Sequence, residues 1–296
     1  MTTPNVARPN VARPIIAAVA GIGWAPQPRA VAWAAAEAAL RRVPLHLVHG
    51  FATLPYESGP SEHELLRGAA KAELDDAVQL ARRSRPGLPV FGRLVPQRPD
   101  LALQDESLRA AVVVIGTGAH AVEDAETRFG SLIGALITAA ACPVVAVPPA
   151  APGAENGHNG QPGAVVVATD GSEVSQPAVA FAFDAAARRA APLTVVHCWP
   201  AEQTAGRRTV AGLEHRMLLA EALAGFAEQY PDVPVTDGGG EGEPGAELTR
   251  WSRRAALLVV GSHGRDRWAT AVWGSVSRTL VRESACPVAI VRPPTG

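Results

Sequence analysis

The two halves of this 296-residue chain repeat one another. Leu45-His46-Leu47-Val48-His49-Gly50-Phe51 is echoed by Leu193-Thr194-Val195-Val196-His197-Cys198-Trp199, and Val112-Val113-Val114-Ile115-Gly116 by Leu257-Leu258-Val259-Val260-Gly261. Gly130-Ser131-Leu132-Ile133 returns as Gly274-Ser275-Val276-Ser277, and Ala-Cys-Pro-Val closes both halves at Ala141–Val144 and Ala285–Val288. The order of the matches never breaks, and their offset stays between 144 and 150 residues. A duplication of that length restricts the chain to two copies of one domain, each large enough to bury its own core. Between the copies, Pro148 to Gly163 holds Pro149, Pro152, Gly153, Gly157, Gly160 and Pro162 with almost no large apolar residue, which is the composition of a linker. The expected organisation is a flexible tail over 1–13, a first domain over 14–148, a linker over 149–163 and a second domain over 164–296.

Each copy alternates short β-branched runs with longer helical periodicity. In the second, Val165–Thr169, Leu193–Val196, Val233–Val235, Leu257–Val260 and Val288–Val291 read as strands. Pro177–Ala191, Arg208–Tyr230, Ala246–Arg254 and Ser275–Glu283 read as helices, with Ser175 placed to cap the first and Met217, Leu218, Leu223 and Phe226 on the apolar side of the second. Apolar runs without alternation fit strands buried on both faces, hence a parallel sheet. The first copy follows the same plan from Ile15 to Val147. The fold expected is α/β: two tandem flavodoxin-like (Rossmann-like) doubly wound domains, each a five-stranded parallel sheet.

Composition then narrows the chemistry. Hydrophobic residues are 47% of the chain and charged residues 19%, which excludes a disordered polymer, and the net charge of −1 excludes a chain that is basic throughout and grips nucleic acid. Lys71 is the single lysine and is flanked by Ala70 and Ala72, so no Gly-Lys-Ser/Thr phosphate loop exists. The three cysteines form no CxxC pair; Cys142 and Cys286 recur before apolar runs and read as buried core thiols. No apolar h-region opens the chain and no run is long enough to span a bilayer, so a soluble, cytoplasmic protein is expected, without a membrane or nucleic-acid partner.

In an open parallel sheet, ligands bind beyond the carboxyl ends of the strands. After the strand Leu257–Val260 come Gly261-Ser262-His263-Gly264, then nine residues, then Gly274-Ser275 opening a helix. Gly261 and Gly264 let backbone approach a ligand closely, and the helix start at Gly274-Ser275 offers free N–H groups to an anion. Arg265 and Arg267 lie between them and can neutralise phosphate charge. A bare Gly-x-x-Gly is more often a surface turn; the spacing and the strand-to-helix setting point instead to phosphate binding.

These residues resemble a known family. Gly261-x2-Gly264-x9-Gly274-Ser275 matches the ATP-binding motif of universal stress proteins, Thr169-Asp170-Gly171-Ser172 is similar to their first-strand signature, Val195-Val196-His197 to their second-strand end and Cys286-Pro287-Val288 to their last-strand entry. The resemblance covers nearly the whole chain, twice, as in the tandem type. It implies ATP, with or without Mg2+, as the ligand. Ala168, Thr169 and Asp170 would then line the adenosine side, with Gly261, Ser262, His263, Gly264, Arg265, Asp266 and Arg267 around ribose and phosphates. Gly274, Ser275, Val276 and Ser277 would hold the outer phosphates. It further implies a homo-oligomer, such as a homodimer packed through the last strand, and a regulatory role in stress or dormancy exerted on an unidentified protein partner.

The first copy departs from the pattern. Ala20 stands where the second copy has Asp170, Ala119 replaces the second motif glycine, and Gly130 follows Gly116 by fourteen residues where Gly274 follows Gly261 by thirteen. Glu123, Asp124 and Glu126 fill the loop in place of the arginines, each repelling phosphate by about a few tenths to 1 kcal/mol if exposed. Ala18, Gly116, Thr117, Gly118, Gly130 and Ser131 therefore outline a weak or degenerate second site, with Gly130-Ser131 retained at a helix start. Gly21-x-Gly23 and Gly116-x-Gly118 only graze a dinucleotide fingerprint, lacking its third glycine and closing acid. His49 and His197, at equivalent strand ends, read as hydrogen-bonded structural groups at the rim of the sheet, with a catalytic base as the rival. Trp251, Trp268 and Trp273, near the second glycine loop, read as apolar packing between domains or subunits, with shielding of a nucleotide as the rival, and no catalytic residue or metal ligand is expected. Three functions remain open on these grounds: a nucleotide-dependent regulator, a slow ATPase, and a scaffold with a structural nucleotide.

Overall fold

The computed structural model describes residues 13–19, 27–51, 60–117, 125–149, 163–199, 205–262 and 274–293, with backbone alone at 60–63, 125–131 and 205–211. The first half runs β1 (Ile15–Ala18), α1 (Pro28–Arg41), β2 (Leu45–Gly50), α2 (Pro60–Ser84), β3 (Val90–Val95), α3 (Pro99–Ser107), β4 (Val112–Gly116), α4 (Ala125–Ala139) and β5 (Val144–Val147). The second runs β6 (Ala164–Ala168), α5 (Gln176–Arg189), β7 (Leu193–Val196), β8 (Cys198–Trp199), α6 (Ala205–Ala222), α7 (Phe226–Gln229), β9 (Val235–Asp237), β10 (Gly240–Glu241), α8 (Pro244–Ser252), β11 (Ala255–Gly261), α9 (Ser275–Glu283) and β12 (Val288–Val291). Proline sits in the first turn of α1, α3, α5 and α8, where its missing N–H has no intrahelical partner to lose.

All ten principal strands form one sheet in the order β3-β2-β1-β4-β5-β12-β11-β6-β7-β9. Within each half the order is 3-2-1-4-5, the Rossmann arrangement of the doubly wound folds, and every pairing is parallel. The halves meet through β5 and β12, which pair antiparallel with Val288 opposite Ala146 and Ile290 opposite Val144. Alternate residues of each strand feed two core layers that run through both halves. Ile15, Val145, Val167 and Ala289 lie in one; Ile16, Val144, Val166 and Val288 lie in the other. Because both faces are covered, the strands carry unbroken apolar sequence.

Several boundaries moved from the expected ones. The long helix expected over Arg208–Tyr230 is interrupted after Ala222, because Gly225 takes φ +81° and starts α7 afresh. Met217 lies on the solvent side of α6, 74% exposed, while Leu219 and Ala222 are buried. The strand expected at Val233–Val235 begins two residues later, in register with β7 from Leu193 opposite Val235. Ser175 does not cap α5 with its side chain: it lies in a 3-10 turn over Glu173–Ser175, and its hydroxyl donates to the Ser172 carbonyl. The pairing of β8 with β10 extends β7 past its end and had no periodic signal to reveal it. Among the described residues no helix is long and apolar enough to cross a membrane.

Beside the β5–β12 seam, α1 packs on α5 through one buried carboxylate. Glu37, 1% exposed, accepts from Arg41 Nε of its own helix at 2.6 Å and from Arg189 of α5. Arg41 also reaches Asp184 at 3.2 Å and lies over the Phe181 ring, while Arg189 lies over Trp33. Arg41 and Arg189 are repeat equivalents, as are Trp33 and Phe181, so each half offers the other one cation and one ring. Glu37 has Ala185 as its counterpart, so a single carboxylate serves both arginines. Glu37→Ala would leave two largely buried guanidinium groups without it and should lower the unfolding free energy in urea by about 3 kcal/mol. Asp75→Ala, which breaks an ion pair with Lys71 in which both side chains are more than half exposed, should cost under about 1 kcal/mol. A loss below about 1 kcal/mol at Glu37 would show that the seam does not depend on it.

Candidate functional site

The carboxyl ends of β6, β7 and β11 and the start of α9 meet at the switch point in strand order of the second half. The chain leaving β6 is tied down by polar groups. Thr169 N donates to Val196 O at 3.0 Å, extending the β6–β7 ladder, and Thr169 Oγ1 lies 2.8 Å from Ser175 Oγ and accepts from Gly171 N. Asp170 Oδ1 accepts from both the N–H and the hydroxyl of Ser172, at 3.0 and 2.6 Å. Gly171 takes φ +75°, and a Cβ there would fall 2.4 Å from Leu218 Cγ, so this turn admits glycine alone. The result is a short, rigid polar lip that fixes the Asp170 carboxylate and keeps Ala168 half-buried at the strand end.

Gly261 ends β11, and Ser262 behind it is buried, its N–H donating to Val291 O at 2.9 Å. Gly274 lies across from it: a Cβ on Gly274 would come 3.6 Å from Ser262 O. The structure thus brings the strand-end glycine and the helix start together although twelve residues separate them. Gly274 is the N-cap of α9 in extended conformation and brings no capping side chain, so the first N–H groups of the helix lack a side-chain acceptor. Ser275 is exposed at this end and Val276 is half-buried against the core. Ser277 departs from expectation: its buried hydroxyl donates to Gly274 O at 3.0 Å, which stabilises the first turn and leaves no proton for a ligand. His263, Gly264, Arg265, Asp266 and Arg267 lie outside the described residues, as do Trp268 and Trp273.

The equivalent place in the first half is built differently. Helix α4 begins at Ala125, so Gly130 and Ser131 fall within it and not at a helix start, contrary to the sequence expectation. Ala125 to Phe129 contain no breaker, and the helix continues through them, which uses the amide protons of Gly130 and Ser131 in the helical ladder. At Gly116 a Cβ would fall 2.5 Å from the Gln27 side chain, which lies across the strand end. A Cβ at Gly50 would fall 2.7 Å from Pro99 Cα, so the lead into α3 is pressed against β2. Ala18, Val19, Val48, Leu103, Ile115 and Leu132 complete an apolar cleft whose free volume, about 20 Å3, holds about one water. Thr117 continues the β4–β5 ladder by donating its N–H to Val147 O, and Gly118 lies outside the described residues.

The histidines also part company. His49 is 1% exposed, not at a solvent rim, and its Nε2 lies 3.0 Å from Glu73 Oε2. His197 Nδ1 lies 3.2 Å from Nδ1 of His215 on α6, and His215 Nε2 reaches both oxygens of Asp237 at 2.8 and 2.9 Å. Trp199 leans on His215 with ring centroids 4.6 Å apart. His215 and Asp237 were missed from sequence because a helix and an edge strand far along the chain supply them; no spacing joins them to His197. The cysteines are packing groups. Burial pushes the Cys142 thiol up to about 12 and those of Cys198 and Cys286 to about 11, so thiolate is scarce at neutral pH. Trp251 packs within the second half, against the position of a Gly238 Cβ beside Thr194.

Comparison with known proteins agrees with this architecture. The model of the universal stress protein family matches residues 13–148 and again 163–292. A universal stress protein of Mycobacterium tuberculosis is 32% identical over 302 residues, covering 93% of this chain and 95% of its own, and a second from that species is 32% identical over 285 residues, covering 89% and 92%. The crystal structure of a universal stress protein from Archaeoglobus fulgidus superposes with a TM-score of 0.65 at 16% identity, covering 94% of this chain and 96% of that one. Matched in both halves and related along nearly its whole length, this chain belongs to the universal stress protein family and carries the family's domain twice.

Proposed function

We propose that this protein binds one ATP per chain in its second half and acts as a nucleotide-dependent regulator in stress or dormancy. The observation that carries the reading is the contrast between the two helix starts: α9 begins at an uncapped Gly274 beside Ser262, whereas α4 runs through Gly130. An uncapped helix N-terminus at a strand-order switch point attracts phosphate by its free N–H groups and its dipole. The Gly261-x2-Gly264-x9-Gly274-Ser275 motif and family membership support ATP as the phosphate-bearing ligand. In this reading Ala168, Thr169 and Asp170 face the adenosine, Gly261 to Arg267 wrap the ribose and inner phosphates, and the backbone of Gly274, Ser275 and Val276, with the Ser275 hydroxyl, holds the outer ones. Any Mg2+ rides on the phosphates. Occupancy changes the surface that the glycine loop offers to a protein partner, in a homo-oligomer.

Calorimetric titration of nucleotide-free protein with ATP should give one tight site per chain; two equal tight sites would overturn the asymmetry between the halves. Gly274 has φ −62° and no neighbour closer than 3.6 Å to a built Cβ, so a larger residue fits the fold there. Gly274→Glu should therefore keep the melting temperature of the parent while ATP binding is lost to charge and bulk at the helix start. A variant that still copurifies with stoichiometric ATP would place the site elsewhere.

We further propose that ATP is held and not turned over. Backbone donors at α9 stabilise bound triphosphate and a transition state alike, and uniform binding does not speed chemistry. Asp266, the single carboxylate between Gly261 and Gly274, is flanked in sequence by Arg265 and Arg267, two cations that compete for it with a metal ion or a water. Hydrolysis should stay below about one turnover per minute, far under the roughly 1–10³ s⁻¹ of enzymes. A faster rate that vanishes in Asp266→Ala would make the protein an ATPase.

A further inference from the structure

We propose that the outer edge of β3 pairs antiparallel with β3 of a second copy of this chain, closing a dimer about a two-fold axis at Gly92. This contact belongs to the homo-oligomer of the proposed function, on which it rests, and is independent of the nucleotide. The pairing of β5 with β12 uses up one edge of each half, so among the described residues the sheet ends at β3 and at β9. An edge strand presents a row of N–H and C=O groups that another strand can complete.

The backbone of β3 sets the register. Pro89 O accepts from Leu45 N and Val95 O from Phe51 N, so the odd-numbered residues of the strand face β2. The N–H and C=O groups of Val90, Gly92 and Leu94 therefore face outward. The outward row stops on both sides: Pro96 has no N–H, and Leu88 N is taken by Arg85 O at 3.2 Å. Gly92 is the midpoint of that row. Arg82 Nη2 donates to Val90 O at 3.2 Å, and that oxygen keeps a second lone pair for a strand. Moving the axis to Leu94 or to Val90 would set Gly92 opposite Pro96 or opposite Leu88, whose amide protons are missing or taken.

An axis at Gly92 makes the side chains complementary to themselves. Val90 stands opposite the second copy's Leu94, and both belong to the apolar layer that α2 covers. Phe91 stands opposite the second copy's Arg93, in a pair without backbone hydrogen bonds, where cross-strand side chains come closest. Phe91 is 53% exposed, T-shaped against His46 with ring centroids 5.3 Å apart. Arg93 is held on the same face by the buried Glu106 of α3, which also accepts from Arg109 at 3.2 Å. A guanidinium against a phenyl ring is a favourable contact, and the symmetry makes it twice.

The other end of the sheet is built against such pairing. β9 is three residues long, and Thr236 and Gly238 stand where β3 has Phe91 and Arg93. Its next outward N–H, that of Gly239, is taken by Asp237 Oδ1 at 2.9 Å. With one such open edge among the described strands, the contact is isologous and stops at two copies instead of growing into a filament.

Sedimentation velocity of the full chain, with and without ATP, reads the dimer. The parent should dimerise with a Kd at or below about 10 µM. Phe91→Arg sets like charges opposite each other at two places and should weaken the dimer by at least about tenfold. Phe91→Glu sets a carboxylate opposite the same arginine and should change the Kd by less than about threefold. Both changes fall on an exposed side chain, and far-UV circular dichroism should show the parent's fold in each. Hydrogen exchange at the Gly92 and Leu94 amides should be slow in the parent dimer and fast in Phe91→Arg where that variant is monomeric. A parent still monomeric at about 100 µM would overturn the proposal and leave the edge to a strand of another protein. Equal weakening by the two variants, or a dimer that neither affects, would overturn the register and with it the proposal, and growth beyond two copies would overturn its closure. If the parent dimerises as described yet binds no ATP, the nucleotide reading falls and the β3 contact stands.

Discussion

The structure depends on the antiparallel pairing of β5 with β12. Each half alone would end its sheet in a bare apolar strand, Val144–Val147 or Val288–Val291, with every residue buried in the assembled molecule. Such an edge invites aggregation. Joining the two edges removes both, makes the core layers continuous, and brings α1 against α5 so that Glu37 can answer two arginines. The family resemblance implied packing through the last strand between subunits; here that packing lies between the two copies in one chain. It also points the two switch points away from each other along a common sheet, since an antiparallel junction reverses strand direction between the halves.

Once one sheet serves both halves, their clefts are free to diverge. The second retains a polar lip from Thr169 to Ser175 and an open helix start at Gly274. The first puts Val19 at the place of Thr169, packs Gln27 on Gly116 and extends α4 through Gly130. These are alternative ways to satisfy the same backbone. The polar lip stores hydrogen-bonding groups that a ligand can share, whereas the apolar cleft gains its stability from contact within the chain. A copy that has filled its cleft contributes fold stability and a junction.

Much of this was legible in residues. β7, α9 and β12 have the bounds expected from their apolar runs, because a buried parallel strand allows little but Val, Ile, Leu and Ala. The duplication exposed the domain plan, and the loss of Asp170 and Gly264 equivalents set the first cleft apart from the second. Less legible were features set by single backbone torsions. Gly225 at φ +81° divides a helix that periodicity alone runs together, and nothing in Gly130-Ser131 itself says that the preceding five residues coil into the same helix. Ser175 and Ser277 looked like a cap and a ligand donor; both hydroxyls turned inward to nearby carbonyls, the local competition short polar side chains commonly win.

By itself the sequence determined the α/β class, the two copies, most strands of the second and its glycine-rich motif, because hydrophobic period and glycine position act through local geometry. Only the tertiary structure decided the rest. It joined β5 to β12, brought Arg189 onto Glu37, and lined up His197, His215 and Asp237. Those contacts link residues between 18 and 152 positions apart, where no spacing rule operates and packing alone determines which side chains meet.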